Sequence, residues 1–180
     1  SLIFYPFVYI AIKLDDGGPA FIVQERIGRN NKIIKIKKFR TMTINDEGKY
    51  CDNDIEINKV ENKVTRAGKF LRKSRIDELP QLWNVFFGDV SIIGPRPELP
   101  SLVKHYEENI PYYSTRHILK PGLSGWAQIY HENHPHHSHA VIETQEKLSY
   151  DLYYIKNRSF LLDMKIALQT LKTLISFAGR

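Results

Sequence analysis

A helical pattern with its own start and stop signals constrains the fold of this chain more than any other stretch of its sequence. The apolar residues of this pattern share one helix face: Leu79, Leu82, Val85 and Phe86. Asp77 stands at the N-cap position, Pro80 falls in the first turn, and Gly88 marks the stop. A carboxylate at a helix N-terminus stays ionised beside the positive end of the dipole, and the free N–H groups there suit a phosphate. We therefore predict a helix that presents the Asp77-Glu78 pair, with capping alone as the simplest alternative role for Asp77.

An arginine held between two prolines follows this helix. Pro95 and Pro97 fix their own φ, and each pushes the residue before it toward an extended conformation. Arg96 is therefore presented on a stiff loop, as a fixed anion receptor requires. The combination of this loop with Asp77 and Glu78 favours a chemical role for the carboxylates.

Basic residues are concentrated in two runs, although the net charge of the chain is only +6. Residues 26–40 contain seven basic side chains and no acid, and residues 63–75 contain six and no acid. Residues 46–61 contain six acids and two lysines. This asymmetry indicates a polyanionic partner, with a solvated basic face as the alternative. The single cysteine, Cys51, excludes an internal disulfide and a cysteine-based zinc site.

The first residues form an apolar segment that is interrupted by Pro6. Its length, residues 1–14, is too short to span a bilayer, which needs about 20 residues. Because the chain begins without Met inside this apolar run, we expect the segment to be truncated. A buried core helix is the simplest reading of the segment.

The remaining sequence predicts an α+β, mainly helical single domain with a short β-hairpin. The predicted elements are strands at 21–24 and 33–39 joined by a turn at 28–31, a loop at 47–62, a basic helix at 67–75, a helix at 99–109, a turn at 122–126, and helices at 141–155 and 160–177. The last helix has an apolar stripe: Leu161, Met164, Leu168, Leu171 and Ile175. Such a stripe indicates either core packing or a helix lying in a membrane interface. The histidines between 131 and 139 lack a helical i, i+4 arrangement, which disfavours a metal site.

Four stretches of this sequence resemble the bacterial sugar transferases, the monotopic polyprenyl-phosphate hexose-1-phosphate transferases. They are Gly18-Pro19-Ala20-Phe21 with Gln24-Glu25-Arg26-Ile27-Gly28, then Lys38-Phe39-Arg40-Thr41-Met42, then residues 77–97, and Pro121-Gly122-Leu123-Ser124-Gly125-Trp126-Ala127-Gln128. The resemblance keeps the family order over nearly the whole chain. The histidine tract departs from the family, which usually carries an Asn- and Gly-containing sequence there, and this puts sugar contacts from that tract in doubt.

The resemblance implies transfer of a sugar-1-phosphate from a nucleotide diphosphate sugar, a UDP-hexose, to polyprenyl (undecaprenyl) phosphate, with release of the nucleoside monophosphate. It assigns Asp77 as the nucleophile that forms a covalent phosphosugar intermediate. Glu78 would bind Mg²⁺ and accept the proton of the polyprenyl phosphate. Such a reaction would begin the membrane stage of exopolysaccharide, capsule, O-antigen or glycoconjugate synthesis.

A carboxylate that attacks a diphosphate needs cations to offset anion–anion repulsion. The expected phosphate- and nucleotide-binding residues are Lys38, Arg40, Arg72, Pro95, Arg96 and Pro97. Further substrate contacts are expected from Gln24, Arg26, Arg116 and His117.

The resemblance also implies a place at the membrane. Residues 1–14 would be the remainder of a re-entrant helix that breaks at Pro6 and returns to the side it entered, and residues 15–180 would form the catalytic domain. The expected location is the cytoplasmic face of the bacterial inner membrane, with lipid as a partner and amphipathic interfacial helices. A homo-oligomer is compatible with the sequence, and we expect no nucleic-acid partner.

Two other classes of function remain open. A glycosyltransferase that releases a nucleoside diphosphate would need an Asp-x-Asp metal motif, and Asp52-Asn53-Asp54 is such a triplet, although no strand precedes it. A non-catalytic module for anionic lipid or nucleic acid would explain the charge but not the Asp77-Glu78 pair or the Arg96 loop. The nucleotide product, whether monophosphate, diphosphate or none, separates the three.

Overall fold

The computed structural model describes residues 4–43, 64–130 and 141–175. Its elements, in chain order, are α1 (Phe4–Asp16), β1 (Phe21–Ile27), β2 (Ile33–Phe39), α2 (Arg66–Lys73), α3 (Gln81–Phe86), β3 (Ser91–Ile93), α4 (Pro100–Asn109), β4 (Gly122–Ser124), α5 (Trp126–Tyr130), α6 (Val141–Asn157) and α7 (Phe160–Ile175). Short 3₁₀ turns occupy Arg29–Asn31, Ile76–Glu78 and Tyr113–Ile118. The mixed, mainly helical character predicted from the sequence is confirmed.

The predicted hairpin is present, and both of its strands have seven residues. β1 and β2 pair antiparallel from Phe21 opposite Phe39 to Ile27 opposite Ile33. The connecting turn uses left-handed backbone at Asn30 and Asn31, which asparagine tolerates better than most residues. Because side chains alternate along a strand, one face of the hairpin is turned inward along its length.

A second, smaller sheet was not predicted. β3 and β4 are parallel, with Ser91 opposite Gly122 and Ile93 opposite Ser124. Their backbones cross closely because glycine lies on both sides: a Cβ on Gly122 would stand 2.1 Å from the backbone nitrogen of Gly94. Residues 122–126, predicted as a turn, therefore begin with a strand that holds the start of the Pro-Arg-Pro loop.

The predicted N-cap role of Asp77 is wrong. Arg75 adopts a left-handed conformation (φ 54°), and Asp77 then lies within the 3₁₀ turn Ile76–Glu78. α3 begins only at Gln81, with Pro80 at its cap position. The apolar residues recur every third position, which fits a 3₁₀ turn as well as one face of an α-helix. The carboxylate pair consequently precedes the helix instead of opening it.

Two hydrophobic clusters hold these elements together. The first joins α1, the hairpin and α2 through Val8, Ile12, Ala20, Phe39 and Leu71. The second joins α4, the Tyr113–Ile118 turn and α6 through Ile27, Leu99, Leu102, Val103, Tyr106, Ile110, Tyr113 and Leu148. The hairpin contributes to both clusters, at Phe39 and Ile27, and so fixes them relative to each other.

The apolar stripe of α7 faces outward, which contradicts the core-packing reading of that helix. Leu161 is 79% exposed and Ile175 is 77% exposed, whereas Ile166 on another face of α7 is fully buried. In α1, Phe7, Ile10 and Leu14 are exposed, while Val8 and Ile12 are buried. Burial on one side of α1 agrees in part with the core-helix reading of residues 1–14.

None of the helices within residues 4–43, 64–130 and 141–175 has the length and apolar character needed to cross a membrane. Pro6 lies in the first turn of α1, which then continues to Asp16. The re-entrant membrane helix and its break at Pro6 stay predictions. The histidines at 131–139, the Asp52-Asn53-Asp54 triplet, the loop at 47–62 and Cys51 lie outside the described residues.

Candidate active site

The carboxylate pair lies against β2 because α3 is attached to the backbone of that strand. The Asn84 side chain accepts from the Lys37 N–H at 3.2 Å and donates to the Lys35 carbonyl at 2.8 Å. This pair of hydrogen bonds fixes the short helix α3 against β2, and with it the preceding turn that carries Asp77 and Glu78. Asn84 had not been assigned a role from sequence, where it reads as an ordinary polar residue of the helix.

Glu78 is surrounded by three cationic side chains from the described part of the chain. Its Oε1 lies 3.1 Å from Arg96 Nη2 and 3.9 Å from Lys38 Nζ, and its Oε2 lies 3.8 Å from Arg75 Nη1. These cations come from the hairpin, the turn after α2 and the Pro-Arg-Pro loop. The predicted meeting of Arg96 and Lys38 with the carboxylate pair is therefore present in the structure.

The two carboxylates have pKa values shifted in opposite directions. Burial and the charge of Glu78 raise the pKa of Asp77 to about 6, against the smaller attraction of Lys38, Arg72 and Arg96. Burial would also raise the pKa of Glu78, but Arg96, Lys38 and Arg75 outweigh it and lower that pKa to about 2. The prediction that the dipole of α3 keeps Asp77 ionised is thus wrong, because Asp77 precedes that helix and it is nearby cations that favour its charged form. Asp77 is still mostly ionised at pH 7, and it is the better proton acceptor of the two.

The inward face of the hairpin carries polar side chains to this site. Gln24 and Arg26 on β1 and Lys38 on β2 all lie on that face, and Arg26 Nη2 donates to Gln24 Oε1 at 2.9 Å. Burial lowers the pKa of Lys38 to about 8, although Glu78 opposes the shift. A lysine with this pKa is still mainly charged at pH 7 and can give up its proton at modest cost.

Arg116 supports the backbone of the Pro-Arg-Pro loop. Its guanidinium, 2% exposed, pairs with Asp151 at 2.7 Å and donates to the Tyr113 hydroxyl at 3.0 Å and to the carbonyl of Arg96 at 2.9 Å. Because these bonds use its Nε and both of its terminal nitrogens, Arg116 holds the Arg96 backbone instead of facing a substrate. Lys147 and Glu98 form a second buried pair on the same side.

The partners of this buried network were missed from sequence. Lys147 and Asp151 are spaced i, i+4 on α6 and are both buried. With Thr144 and Tyr154, which are also buried, they form a polar stripe at helical spacing beside the apolar one. That spacing was readable in the sequence and is the signal that would have found them.

The other predicted residues have mixed placements. Arg72 lowers the pKa of Asp77 and donates to Thr41 Oγ1 at 3.0 Å, so it lies near the pair. Arg40 donates to the carbonyls of Pro19 and Met42, at 2.6 and 3.0 Å, and these bonds hold backbone. His117 is buried and bonded to Asn31, and burial with the charge of Arg116 lowers its pKa to about 4.

A sequence model of one family, described as bacterial sugar transferase, matches residues 1–177 of this chain. The chain belongs to the bacterial sugar transferase family. Its curated relatives include the UDP-N-acetylgalactosamine-undecaprenyl-phosphate N-acetylgalactosaminephosphotransferase of Aeromonas hydrophila, 42% identical over 94% of this chain and 38% of the relative. The UDP-glucose:undecaprenyl-phosphate glucose-1-phosphate transferase of Klebsiella pneumoniae is 42% identical over 89% of this chain and 33% of the relative. The exopolysaccharide production protein PSS of Rhizobium leguminosarum bv. phaseoli is 38% identical over 93% of this chain and 83% of the relative.

This bacterial sugar transferase chain thus spans little more than a third of its Aeromonas relative and a third of its Klebsiella relative. The match to the Rhizobium protein covers most of both chains. The aligned part therefore corresponds to one portion of the longer relatives and to most of the shorter one.

The carboxylates of this sugar transferase chain fit a magnesium ion only in company with a substrate. No three His, Cys, Asp or Glu side chains come together as a metal cage among residues 4–43, 64–130 and 141–175. Magnesium usually takes one or two carboxylates from a protein and completes its shell with water and substrate phosphate. Asp77 and Glu78 can supply that donor set, and a cation would offset the burial and the Glu78 repulsion that raise the pKa of Asp77.

Proposed function

We propose that this chain carries the catalytic machinery of a phosphoglycosyl transferase that uses a nucleotide diphosphate sugar and a polyprenyl phosphate. The observation that carries the proposal is the arrangement at the pair: Asp77 has a raised pKa beside Glu78, which three cations keep ionised. A half-buried, incompletely neutralised carboxylate is a suitable nucleophile, and the surrounding cations are suited to diphosphate oxygens. The names of the relatives, which include UDP-sugar and undecaprenyl phosphate, agree with this chemistry.

In the first step, Arg96 and Lys38 bind the diphosphate of the donor, and Asp77 attacks the phosphorus that carries the sugar. A bond forms between an Asp77 carboxylate oxygen and that phosphorus, and the bond to the bridging oxygen breaks. The nucleoside monophosphate leaves with the bridging oxygen and its electron pair. Lys38, whose Nζ lies 3.9 Å from Glu78 Oε1, supplies positive charge at the pair for the charge that develops on this leaving group.

In the second step, a phosphate oxygen of the polyprenyl phosphate attacks the same phosphorus and releases Asp77. The product is a polyprenyl diphosphate sugar, and the enzyme returns to its starting state. Glu78 acts through its charge in both steps, because a carboxylate whose pKa is about 2 is a poor proton acceptor at neutral pH. Magnesium, bound by the pair together with substrate phosphates, would supply additional positive charge.

The same proposal places the chain against a membrane at the cytoplasmic face. Exposed apolar side chains occur on α1, α3 and α7, including Phe86 at 78% exposure. Trp83, Phe86 and Phe87 form one exposed aromatic cluster, with ring centroids 5.5–6.2 Å apart. Amphipathic surfaces of this kind, with basic residues nearby, favour a membrane interface that contains anionic lipid.

The test is the identity of the nucleotide product and of the covalent intermediate. The full-length parent protein is incubated with polyprenyl phosphate and a panel of nucleotide sugars, and the released nucleotide is separated by chromatography. The proposal expects the nucleoside monophosphate, and mass spectrometry of the protein with donor alone should find the phosphosugar on Asp77. Release of a nucleoside diphosphate, or a phosphosugar on another residue, would contradict it.

A further inference from the structure

A cavity of about 380 Å³ lies beside the carboxylate pair and has no role in the steps described above. Its described lining comes from the turn that carries Glu78, from β3 and β4, and from α5 and α7. Sites that bind small molecules usually enclose about 300–1,000 Å³, so the cavity is large enough to hold part of a ligand. The nucleotide and sugar phosphate are already served by Arg96 and Lys38, neither of which lines this cavity.

The charged groups of the cavity are confined to one place on its wall. Among the described residues that line it, Arg75 and Glu78 are the charged ones, and they pair with each other at 3.8 Å. The wall away from this pair is mainly aliphatic and includes Leu82, Ile129 and Leu174. The cavity therefore suits an amphiphile with a charged group at one end.

The hydroxyl groups on the wall are already hydrogen-bonded within the protein. Ser124 and Thr170 bond each other at 2.7 Å, and the Thr170 hydroxyl also donates to the carbonyl of Ile166 at 2.7 Å. The hydroxyl of Thr173 donates to the carbonyl of Gln169 at 3.0 Å. The amide oxygen of Gln128 is a free acceptor on this wall, but a sugar would require several free donors and acceptors, whereas a hydrocarbon stem requires none. The occupied hydroxyls thus favour the hydrocarbon.

The charge near the cavity selects an anionic head group for that hydrocarbon. Arg75, Lys38 and Arg96 surround Glu78, and one positive charge remains after both Glu78 and the ionised Asp77 are counted. Arg75 is the cation of this group that lines the cavity. Leu171 is 54% exposed and lines the cavity, which connects the opening to the outward apolar face of α7. A long stem could therefore leave the cavity along α7 without crossing polar surface.

We propose that this cavity binds the first isoprene units of the lipid acceptor, with the acceptor phosphate directed toward Arg75 and Asp77. The inference rests on the proposed function, because it takes the acceptor to be a polyprenyl phosphate. It adds a location: the stem lies between β3, α5 and α7. The exposed face of α1 is the competing location, since Phe7, Ile10 and Leu14 are also apolar and accessible.

The first experiment maps the stem by photocrosslinking in the full-length wild-type protein. The probe is a short polyprenyl phosphate with a diazirine on its second isoprene unit, and labelled peptides are identified by mass spectrometry. Labelling is expected at Ile129, Leu171 or Leu174, and excess polyprenyl phosphate should abolish it, whereas phospholipid vesicles should not. Labelling confined to α1, or abolished equally by phospholipid, would overturn the proposal.

The second experiment narrows the cavity with Ala167→Phe and uses Leu168→Phe as the matched control. Ala167 lines the cavity, whereas Leu168 is its neighbour on α7, is 61% exposed and does not line it. Ala167→Phe is expected to raise the KM for the polyprenyl phosphate at least tenfold, with Leu168→Phe within twofold of the parent. Formation of the phosphosugar on Asp77 from donor alone should be unchanged in both variants.

The reaction with donor alone distinguishes a failure of the proposed function from a failure of the cavity proposal. If it forms no phosphosugar in the parent protein, the proposed function fails. If it proceeds normally and Ala167→Phe leaves the acceptor KM unchanged, the cavity proposal alone fails. If Ala167→Phe loses the donor reaction as well, the variant has lost its fold, and the crosslinking result decides.

Discussion

Replacing Asp77 with Asn should abolish turnover and at the same time make the protein more stable. The pKa of Asp77 rises from 3.8 to about 6 on folding, so the ionised carboxylate is less favourable in the folded chain than in the unfolded one. About two pKa units at about 1.4 kcal/mol each give about 3 kcal/mol, and screening at this partly exposed position reduces the expected gain to about 2 kcal/mol. For a chain of this size, that gain corresponds to an increase in Tm of about 4–8 °C.

The size of this stabilisation depends on pH in a way that can be tested. Because the folded pKa of Asp77 lies above the unfolded one, the penalty is fully present above pH 6 and disappears as the pH falls toward 4. The Tm difference between Asp77→Asn and the parent should therefore be largest at pH 7–8 and vanish near pH 4. The measurement is thermal unfolding in EDTA without nucleotide, since a bound cation would stabilise the carboxylate.

Glu78→Gln is the matched control, because it should change stability in the opposite direction. The pKa of Glu78 falls from 4.5 to about 2 on folding, so its charge stabilises the protein above pH 4.5 and that contribution is lost as the pH falls toward 2. At pH 7.5, Glu78→Gln should lower the free energy of unfolding by about 2–3 kcal/mol. If both variants lower the Tm at pH 7.5, the conclusion that folding raises the pKa of Asp77 is refuted.

Three further results are expected. Arg96→Lys keeps the charge but loses the planar fork that reaches Glu78, so kcat/KM should fall steeply, and a lysine variant as active as the parent would mean that the site needs only a point charge. Asp151→Asn leaves the buried Arg116 charge without its partner and should cost about 3–5 kcal/mol in unfolding free energy, whereas a loss below about 1 kcal/mol would show that this network does not support the fold. In the full-length parent with Cys51 replaced, single cysteines placed just before the apolar segment and at Lys13 should both be labelled from the cytoplasmic side, and labelling from opposite sides would demonstrate a span.

The hairpin and the long helices were predictable because their sequence periods are unambiguous. In β2, Ile34 and Ile36 alternate with Lys35 and Lys37, and the structure buries Ile36 while it exposes both lysines. The alternation over residues 34–37 has a period of two, which favours a strand over a helix, so the strand was identified correctly.

The start of α3 was mispredicted because its apolar residues recur at a spacing of three. That spacing is shared by a 3₁₀ turn and by one face of an α-helix. In addition, Arg75 adopts the left-handed conformation that separates α2 from the turn, and an arginine gives no sequence signal for that conformation. The strands β3 and β4 were missed for a different reason. Each has three residues, and their pairing depends on glycine contacts between positions 94 and 122, which lie far apart in sequence.

Many residues of the candidate site were identified from residue type and motif, but their positions relative to one another were not. Asp77, Glu78, Lys38 and Arg96 were named together, and the structure brings them within ion-pair or charge-interaction distance. Arg116 was expected to contact substrate and instead braces backbone. Its hydrogen bonds reach across 20 and 35 residues of sequence, so burial and partner geometry, which only the folded chain reveals, decided its role.

The close crossing of β3 and β4 limits which mutations this chain can accept during evolution. Gly94 and Gly122 carry no reactive group, yet a methyl group on Gly122 would meet backbone atoms of Gly94, which cannot move aside as a flexible side chain can. In a saturation-mutagenesis library selected for activity, both positions should be depleted nearly as strongly as Asp77, whereas exposed Glu25 should accept most residues. Intolerance to mutation in this protein therefore has two causes: a reacting chemical group, as at Asp77, or a close backbone contact, as at Gly94 and Gly122. A map of tolerated substitutions, interpreted without the structure, would assign a chemical role to these glycines.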